Sequence, residues 1–184
     1  MISKESSTKT IYHAMKWIES LLEYFPEELL SLKKEIIENL QHQELEIVEI
    51  SVILIAKYLN KIEDYGMIGE ILDFMERSVN TTLDQPKIIS ILKILFIYIE
   101  SEKIIRYFTE KLKSNKNRAF KMQIVQGLDM VINIEDDLKG LRKMFRDKKT
   151  DLFDSIFEVW AVDPISAVSL CFLSHEYKII EIKF

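Results

Sequence analysis

The sequence predicts an all-α protein, with antiparallel helical hairpins stacked side by side into a short α-solenoid of about ten helices. Three observations predict it. Apolar residues return at helical spacing along almost the whole chain instead of alternating as in strands. Only 4 Gly and 3 Pro occur in 184 residues, too few for short strands joined by tight turns. The helical segments also pair off, with pairs recurring roughly every 35 to 45 residues, the period of HEAT and armadillo repeats. No strict internal repeat accompanies them, so a compact bundle stays open as the alternative. The whole of 1–184 reads as one solenoid domain.

Each element follows from local signals. Thr8 or Thr10 can cap a first helix, with Ile11, Met15, Ile18 and Leu22 on one face. That helix ends near Tyr24, because Pro26 disfavours helical geometry at Phe25. Pro26 suits the first position of a second helix, and Glu27 and Glu28 suit its positive end. Its inner stripe is Leu29, Leu32, Ile36 and Leu40. A third helix over roughly 44–59 is apolar on more than one face, which predicts neighbours on both sides. A fourth, about 65–79, turns Ile68, Ile71, Leu72 and Met75 inward.

"NTTLDQP", residues 80–86, reads as the clearest loop. After it come the buried helix "KIISILKILFIYIE" and then "SEKIIRYFTEKLK", capped by Ser101. "SNKNR" is a polar turn. "AFKMQIVQGLDMVINI" and "EDDLKGLRKMF" make the next pair, Thr150 can cap "DLFDSIFEVW", and Asp163 with Pro164 opens the last helix.

Composition narrows the function. With 48% hydrophobic and 30% charged residues the chain is neither a disordered tail nor a membrane protein. Its tightest apolar run, "ISVILIA", is flanked by Glu49 and Lys57, far short of the ~20 residues of a bilayer span. The first ten residues carry no secretory pattern, and a lone cysteine makes no internal disulfide, so the expected address is the cytoplasm. The net charge of −5 conceals an asymmetry. Residues 1–92 hold 9 basic and 16 acidic side chains (net −7), and the remainder hold 16 and 14 (net +2). Nucleic acid is not an expected partner.

The sequence offers no catalytic set. His13, His42 and His175 stand at no metal-ligand spacing from one another or from Cys171. Gly66 and Gly69 match no phosphate-cradling loop, and Ser169 lacks the flanking glycines of a nucleophile turn. Cys171, in an apolar helix, reads as an inert core thiol. Asp136 and Asp137 suit a helix start without any chemistry. No enzyme, cofactor, metal or small-molecule substrate is expected.

The basic residues form two clusters at links between helical pairs. One holds Lys111, Lys113, Lys116 and Arg118, and the other Arg142, Arg146, Lys148 and Lys149. In a regular stack such links emerge on one edge, which would make a basic rim able to meet an acidic protein or an anionic membrane surface. The plainer reading is that they keep exposed turns soluble. Phe120 and Phe145, the aromatics among them, fit inner helical faces. The closing "YKIIEIKF" keeps apolar residues near the terminus, able to dock on this chain or another.

The most distinctive stretch is "EVWAVDPISAVSLCFLSHEYK", residues 158–178. Asp163 can cap, Pro164 fixes the entry angle, and Trp160 can pack over the corner between two helices. Ile165, Val168, Phe172 and Ile179 can form one face, broadened by Leu170, Leu173 and Tyr177. Small Ser166, Ala167 and Ser169 allow close approach of a neighbour.

At these residues the chain resembles the carboxyl-terminal region of the Vac-fourteen family, the HEAT-repeat scaffold of the complex that makes and removes phosphatidylinositol 3,5-bisphosphate. Family members carry a Trp, a short linker, Asn-Pro, and a small-residue turn into Ser-Leu-Cys-Leu-Leu and a Tyr. Trp160, Asp163, Pro164, Ser169, Leu170, Cys171, Phe172, Leu173 and Tyr177 occupy the matching places, with Asp163 standing for Asn. "ILFIYIESEKIIRYFTEKL", "FKMQIVQGLDMVINIEDDLKGLRKMF" and "AMKWIESLLEYFPEELL" are similar to further helical pairs.

The resemblance implies a non-enzymatic scaffold in endolysosomal phosphoinositide regulation, reduced or truncated relative to the family. It implies protein partners, a PIKfyve-type lipid kinase or a lipid phosphatase, with self-association through the same region. Residues 150–184 resemble the start of the family's carboxyl-terminal partner-binding region. Location would be cytoplasmic and peripheral to the endosomal or vacuolar membrane. The alternative is a generic HEAT-type module using the basic rim to bind an anionic protein, membrane or ribonucleoprotein.

Overall fold

A computed structural model describes residues 8–62, 66–78, 83–147 and 150–178, without the side chains of Leu29, Leu30, Thr150 and Asp151. Among these residues the fold is all-α and solenoid-like, with ten α-helices and no strand. Two compact units, Met1–Ile99 and Glu100–Phe184, are considered in turn.

The first unit holds α1 (Thr8–Leu22), α2 (Glu28–Glu38), α3 (Leu45–Ile62), α4 (Gly66–Ser78) and α5 (Gln85–Tyr98). A 3-10 turn, Asn39–Gln41, follows α2. The third helix packs on α1 on one side and on α5 on the other, so helix n stacks on helix n+2 as in a solenoid. That is why its apolar residues run round the cylinder. Ile47, Val48, Val52, Leu54, Ile55, Ala56 and Leu59 are all fully buried. Ion pairs fasten the α1–α3 contact, with Glu19 accepting from Lys57 at 2.6 Å and from Lys16 at 2.7 Å. Burial alone would raise the Glu19 carboxyl, but the two ammonium groups outweigh it and hold it below the ordinary carboxylate range.

Most of the predicted inward residues are inward. Ile11, Met15 and Leu22 of α1, Ile36 of α2, Leu40 and all four named residues of α4 are buried. Leu29 lies outside the described side chains, and Leu32 is 36% exposed at the edge of α2.

Three starts differ from expectation. The second helix begins at Glu28, with Glu27 at the cap position and no side-chain cap bond. The N–H groups of Tyr24 and Phe25 both fold back on the Leu21 carbonyl, and that turn displaces the helix start past Pro26. The fifth helix begins inside the predicted loop. Asp84 caps it, accepting from the Lys87 N–H at 3.1 Å, and Pro86 sits in its first turn, where a missing N–H is harmless. Residues 80–82 of that loop lie outside the described set. Ser101 is already helical, and Glu100 holds the cap position without a side-chain bond.

The second unit holds α6 (Ser101–Ser114), α7 (Arg118–Ile134), α8 (Lys139–Arg146), α9 (Thr150–Trp160) and α10 (Pro164–Ser174). A 3-10 turn, Asp136–Leu138, precedes α8. The "SNKNR" turn caps α7 through Asn117, which accepts from the Phe120 N–H at 3.1 Å. The ninth helix packs on α6, α7 and α10, and α10 also meets α7 and α8. Trp160, Phe108 and Phe120 are the largest fully buried side chains here, and Phe145 is buried as well. The Thr150 cap lies outside the described side chains.

Candidate functional site

The corner between α9 and α10 is built as its residue types require. Trp160 ends α9 and is 1% exposed. Its carbonyl accepts from the Asp163 N–H at 3.0 Å, tightening the link. The Asp163 carboxylate, itself buried, accepts from the Ser166 N–H at 3.0 Å and the Ser166 hydroxyl at 2.6 Å. Its other oxygen accepts from Gln126 Nε2 of α7 at 3.2 Å. Burial opposes its ionisation, but the Ser166 and Gln126 bonds outweigh it and hold the carboxyl below its ordinary value. One side chain thus caps α10 and ties it to α7.

A second rung follows further along the same pair. Asn133 Nδ2 donates to Ser169 Oγ at 3.0 Å and to Asp129 Oδ1 at 2.9 Å. The Ser169 hydroxyl also bonds Asp129. Burial raises the Asp129 carboxyl, against the Ser169 and Asn133 bonds, and the Asp163 charge adds to the rise. Ser166 and Ser169 therefore do what small residues were expected to do, with hydroxyl partners as well.

The orientation of α10 departs from expectation. Ser166, Ala167, Leu170, Cys171 and Ser174 face the interior, whereas Ile165 is 79% and Phe172 58% exposed. Val168 and Leu173 are half-buried. The stripe Ile165–Val168–Phe172 does share a side, but it is the outer one, and Ile179 lies outside the described residues. Three helices, α7, α8 and α9, pack on α10, and the side they cover is mostly small, with Leu170 the large side chain on it. The serines on the inner side are satisfied locally: Ser174 Oγ donates to the Leu170 carbonyl at 2.8 Å. Cys171 is fully buried, as the reading of an inert core thiol requires.

The end of α10 organises a small aromatic group. His175 adopts the left-handed conformation, φ 61° and ψ 27°, and lets the Glu176 N–H reach back to the Cys171 carbonyl at 2.9 Å. The reversed chain brings the Tyr177 ring 5.8 Å from Phe172, edge to face, and 5.9 Å from His175, stacked. Tyr177 stays 49% exposed. On neighbouring α7, Met130 and Ile134 are 44% and 68% exposed, one turn apart.

The residues of the predicted basic rim divide. Lys113 pairs with Glu158 of α9 at 2.8 Å and donates to Ser155 Oγ. Arg142 Nη1 donates to the Ile132 and Glu135 carbonyls, closing the end of α7. Arg146 Nε donates to the Leu173 carbonyl at 3.3 Å, at the end of α10. Lys111 lies over the Tyr107 ring, 5.7 Å from its centroid. Lys116 and Arg118 are exposed, and Lys148 and Lys149 lie outside the described residues. Four of the six described rim residues, Lys111, Lys113, Arg142 and Arg146, therefore have partners within the chain.

A groove of about 430 Å³ between α6 and α9 is lined by Arg106, Thr109, Glu110, Lys113, Leu152 and Ser155. Its two cations already hold carboxylates, Glu102 and Glu158, so it presents no net attraction to an anion. Among the described residues no group of three His, Cys, Asp or Glu is placed to hold a metal, and no helix is long and apolar enough to cross a membrane.

Sequence reasoning had named Ile165, Phe172 and Tyr177 but not their exposure, and had not named Met130 or Ile134 as surface. The signal in α10 was partial, because Leu170 shares the inner side with Ser166, Ala167, Cys171 and Ser174.

Compared with known proteins, residues 80–181 match the family model described as "Vacuolar protein 14 C-terminal Fig4p binding". The chain is also similar to the "Protein VAC14 homolog" of Arabidopsis thaliana, 21% identical over 178 residues. That similarity covers 92% of this chain and 24% of the relative, so the chain spans about a quarter of that protein's length. No solved structure matches.

Proposed function

The chain belongs to the Vacuolar protein 14 C-terminal Fig4p-binding family, and from that premise we propose that it is a non-enzymatic scaffold that holds a Fig4p-type lipid phosphatase. The match over 80–181 carries this reading, since it takes in α5 to α10 and the whole Trp160 corner. In this reading the chain acts in phosphatidylinositol 3,5-bisphosphate regulation, on the cytoplasmic side of endosomal or vacuolar membranes, with a lipid kinase as a further partner. Its chemistry is that of a platform. Rigid helices hold side chains in place, so a partner loses little of its binding energy to ordering them. The basic rim is the weaker alternative, because Lys113, Arg142 and Arg146 already hold helix ends and neighbours together.

The test is affinity purification of the tagged chain from its native cell. Recovery of a Fig4p-type phosphatase supports the proposal. Recovery of neither a phosphatase nor a lipid kinase rejects the pathway, while leaving the fold as described.

A further inference from the structure

Helix α10 leaves two of its large apolar side chains in solvent. Ile165 and Phe172 are exposed, while Ser166, Ala167, Leu170, Cys171 and Ser174 are buried. Two further exposed apolar side chains stand on the adjoining helix. Met130 and Ile134 of α7 stand on the helix that the Gln126–Asp163 and Asn133–Ser169 bonds hold against α10. By contrast, α6 and α8 show Arg106, Lys111, Lys139 and Lys143 to solvent. Clustered apolar surface within a polar surround marks an interaction site, and aromatics fixed by their own packing make effective anchors.

We propose that this α7–α10 face, formed by Met130, Ile134, Ile165, Phe172 and Tyr177, is the surface on which the phosphatase partner sits. This rests on the function proposed above, and the family description selects the occupant. All five residues fall within the span, 80–181, whose family description is Fig4p binding. Moreover, the His175 turn already places Tyr177 against Phe172, so the anchor is formed before the partner arrives. The matching patch on the phosphatase is apolar.

The experiment measures binding of purified Fig4p-type phosphatase to the full chain and to Phe172→Asp, Ile165→Asp and Ile97→Asp. The last alters an exposed isoleucine of α5, in the first unit, that is not one of the five. Circular dichroism and thermal melting establish that each variant is folded. The proposal expects Phe172→Asp to weaken binding at least about thirtyfold, the loss of one hot-spot residue, with Ile165→Asp somewhat less and Ile97→Asp unchanged. Unimpaired binding by folded Phe172→Asp and Ile165→Asp overturns the surface while the scaffold reading stands. Failure of the unaltered chain to bind overturns both. Light scattering on the same samples separates a third outcome: a self-associated chain broken apart by Phe172→Asp with phosphatase binding intact overturns the proposal in favour of a second copy as occupant.

Discussion

Helices α3 and α10 are both written almost entirely in apolar and small residues, yet they use them in opposite ways. The third helix buries its large side chains on every side, because α1 and α5 flank it within one layer. The tenth buries Ser166, Ala167, Leu170, Cys171 and Ser174 against α7, α8 and α9 and leaves Ile165 and Phe172 outside. Apolar character therefore shows that a helix has something to cover, but not whether this chain supplies the cover. In α3 it does. In α10 three neighbours cover one side, and Ile165 and Phe172 on the other stay in solvent.

The most damaging way to probe this difference is at the corner that seats α10. Trp160→Ala removes a fully buried indole and should destabilise by about 3–5 kcal/mol. An unchanged denaturation midpoint would show that the corner is not packed as described.

The comparison itself is tested by two truncations read in the same urea titration. Leu54→Ala in α3 should lower stability by about 2–5 kcal/mol, whereas Phe172→Ala in α10 should stay within about 0.5 kcal/mol. Equal losses would place Phe172 inside.

Asp163→Ala should cost about 1–2 kcal/mol, since α10 loses its cap and Gln126 its partner. This loss is pH-dependent. The folded carboxyl titrates below its unfolded value, so its contribution is full above about pH 4 and fades as the pH falls through the folded value. A loss that grew as the pH fell would reverse the sign derived from the Ser166 and Gln126 bonds.

The smallest effect, and a gain, is expected at His175. Glycine there removes the left-handed strain, offset by the extra freedom of the unfolded chain, for a net of a few tenths to about 1 kcal/mol. Thermal melting should show His175→Gly as the more stable form. A lower melting temperature would mean that the Tyr177–His175 stacking outweighs the strain.

Much of the fold was legible in the chain. The inward residues of α4, the double-sided burial of α3, the Asp163 cap with Pro164, and the buried Trp160 all follow from spacing or local chemistry. The starts of α2, α5 and α6 were misplaced by one or two residues for a common reason: which polar residue takes the cap depends on the path of the preceding turn. Pro26 and Ser101 have suitable chemistry, but the turn at Leu21 and the extended backbone at Glu100 put the helix starts elsewhere. The rim was legible as charge, but not as capping. Arg142 reaches the Ile132 and Glu135 carbonyls only because α8 folds back beside the end of α7.

By itself the sequence determined that the chain is helical, where its helices lie, and that a capped tryptophan corner closes the second unit. Those properties depend on hydrogen bonds and side-chain periodicities spanning a few residues. Which side of α10 faces inward was decided only by tertiary structure. Both of its sides are uncharged and both carry large apolar residues, Leu170 on one and Ile165 and Phe172 on the other, so the choice acquires an energy only when α7, α8 and α9 pack against it.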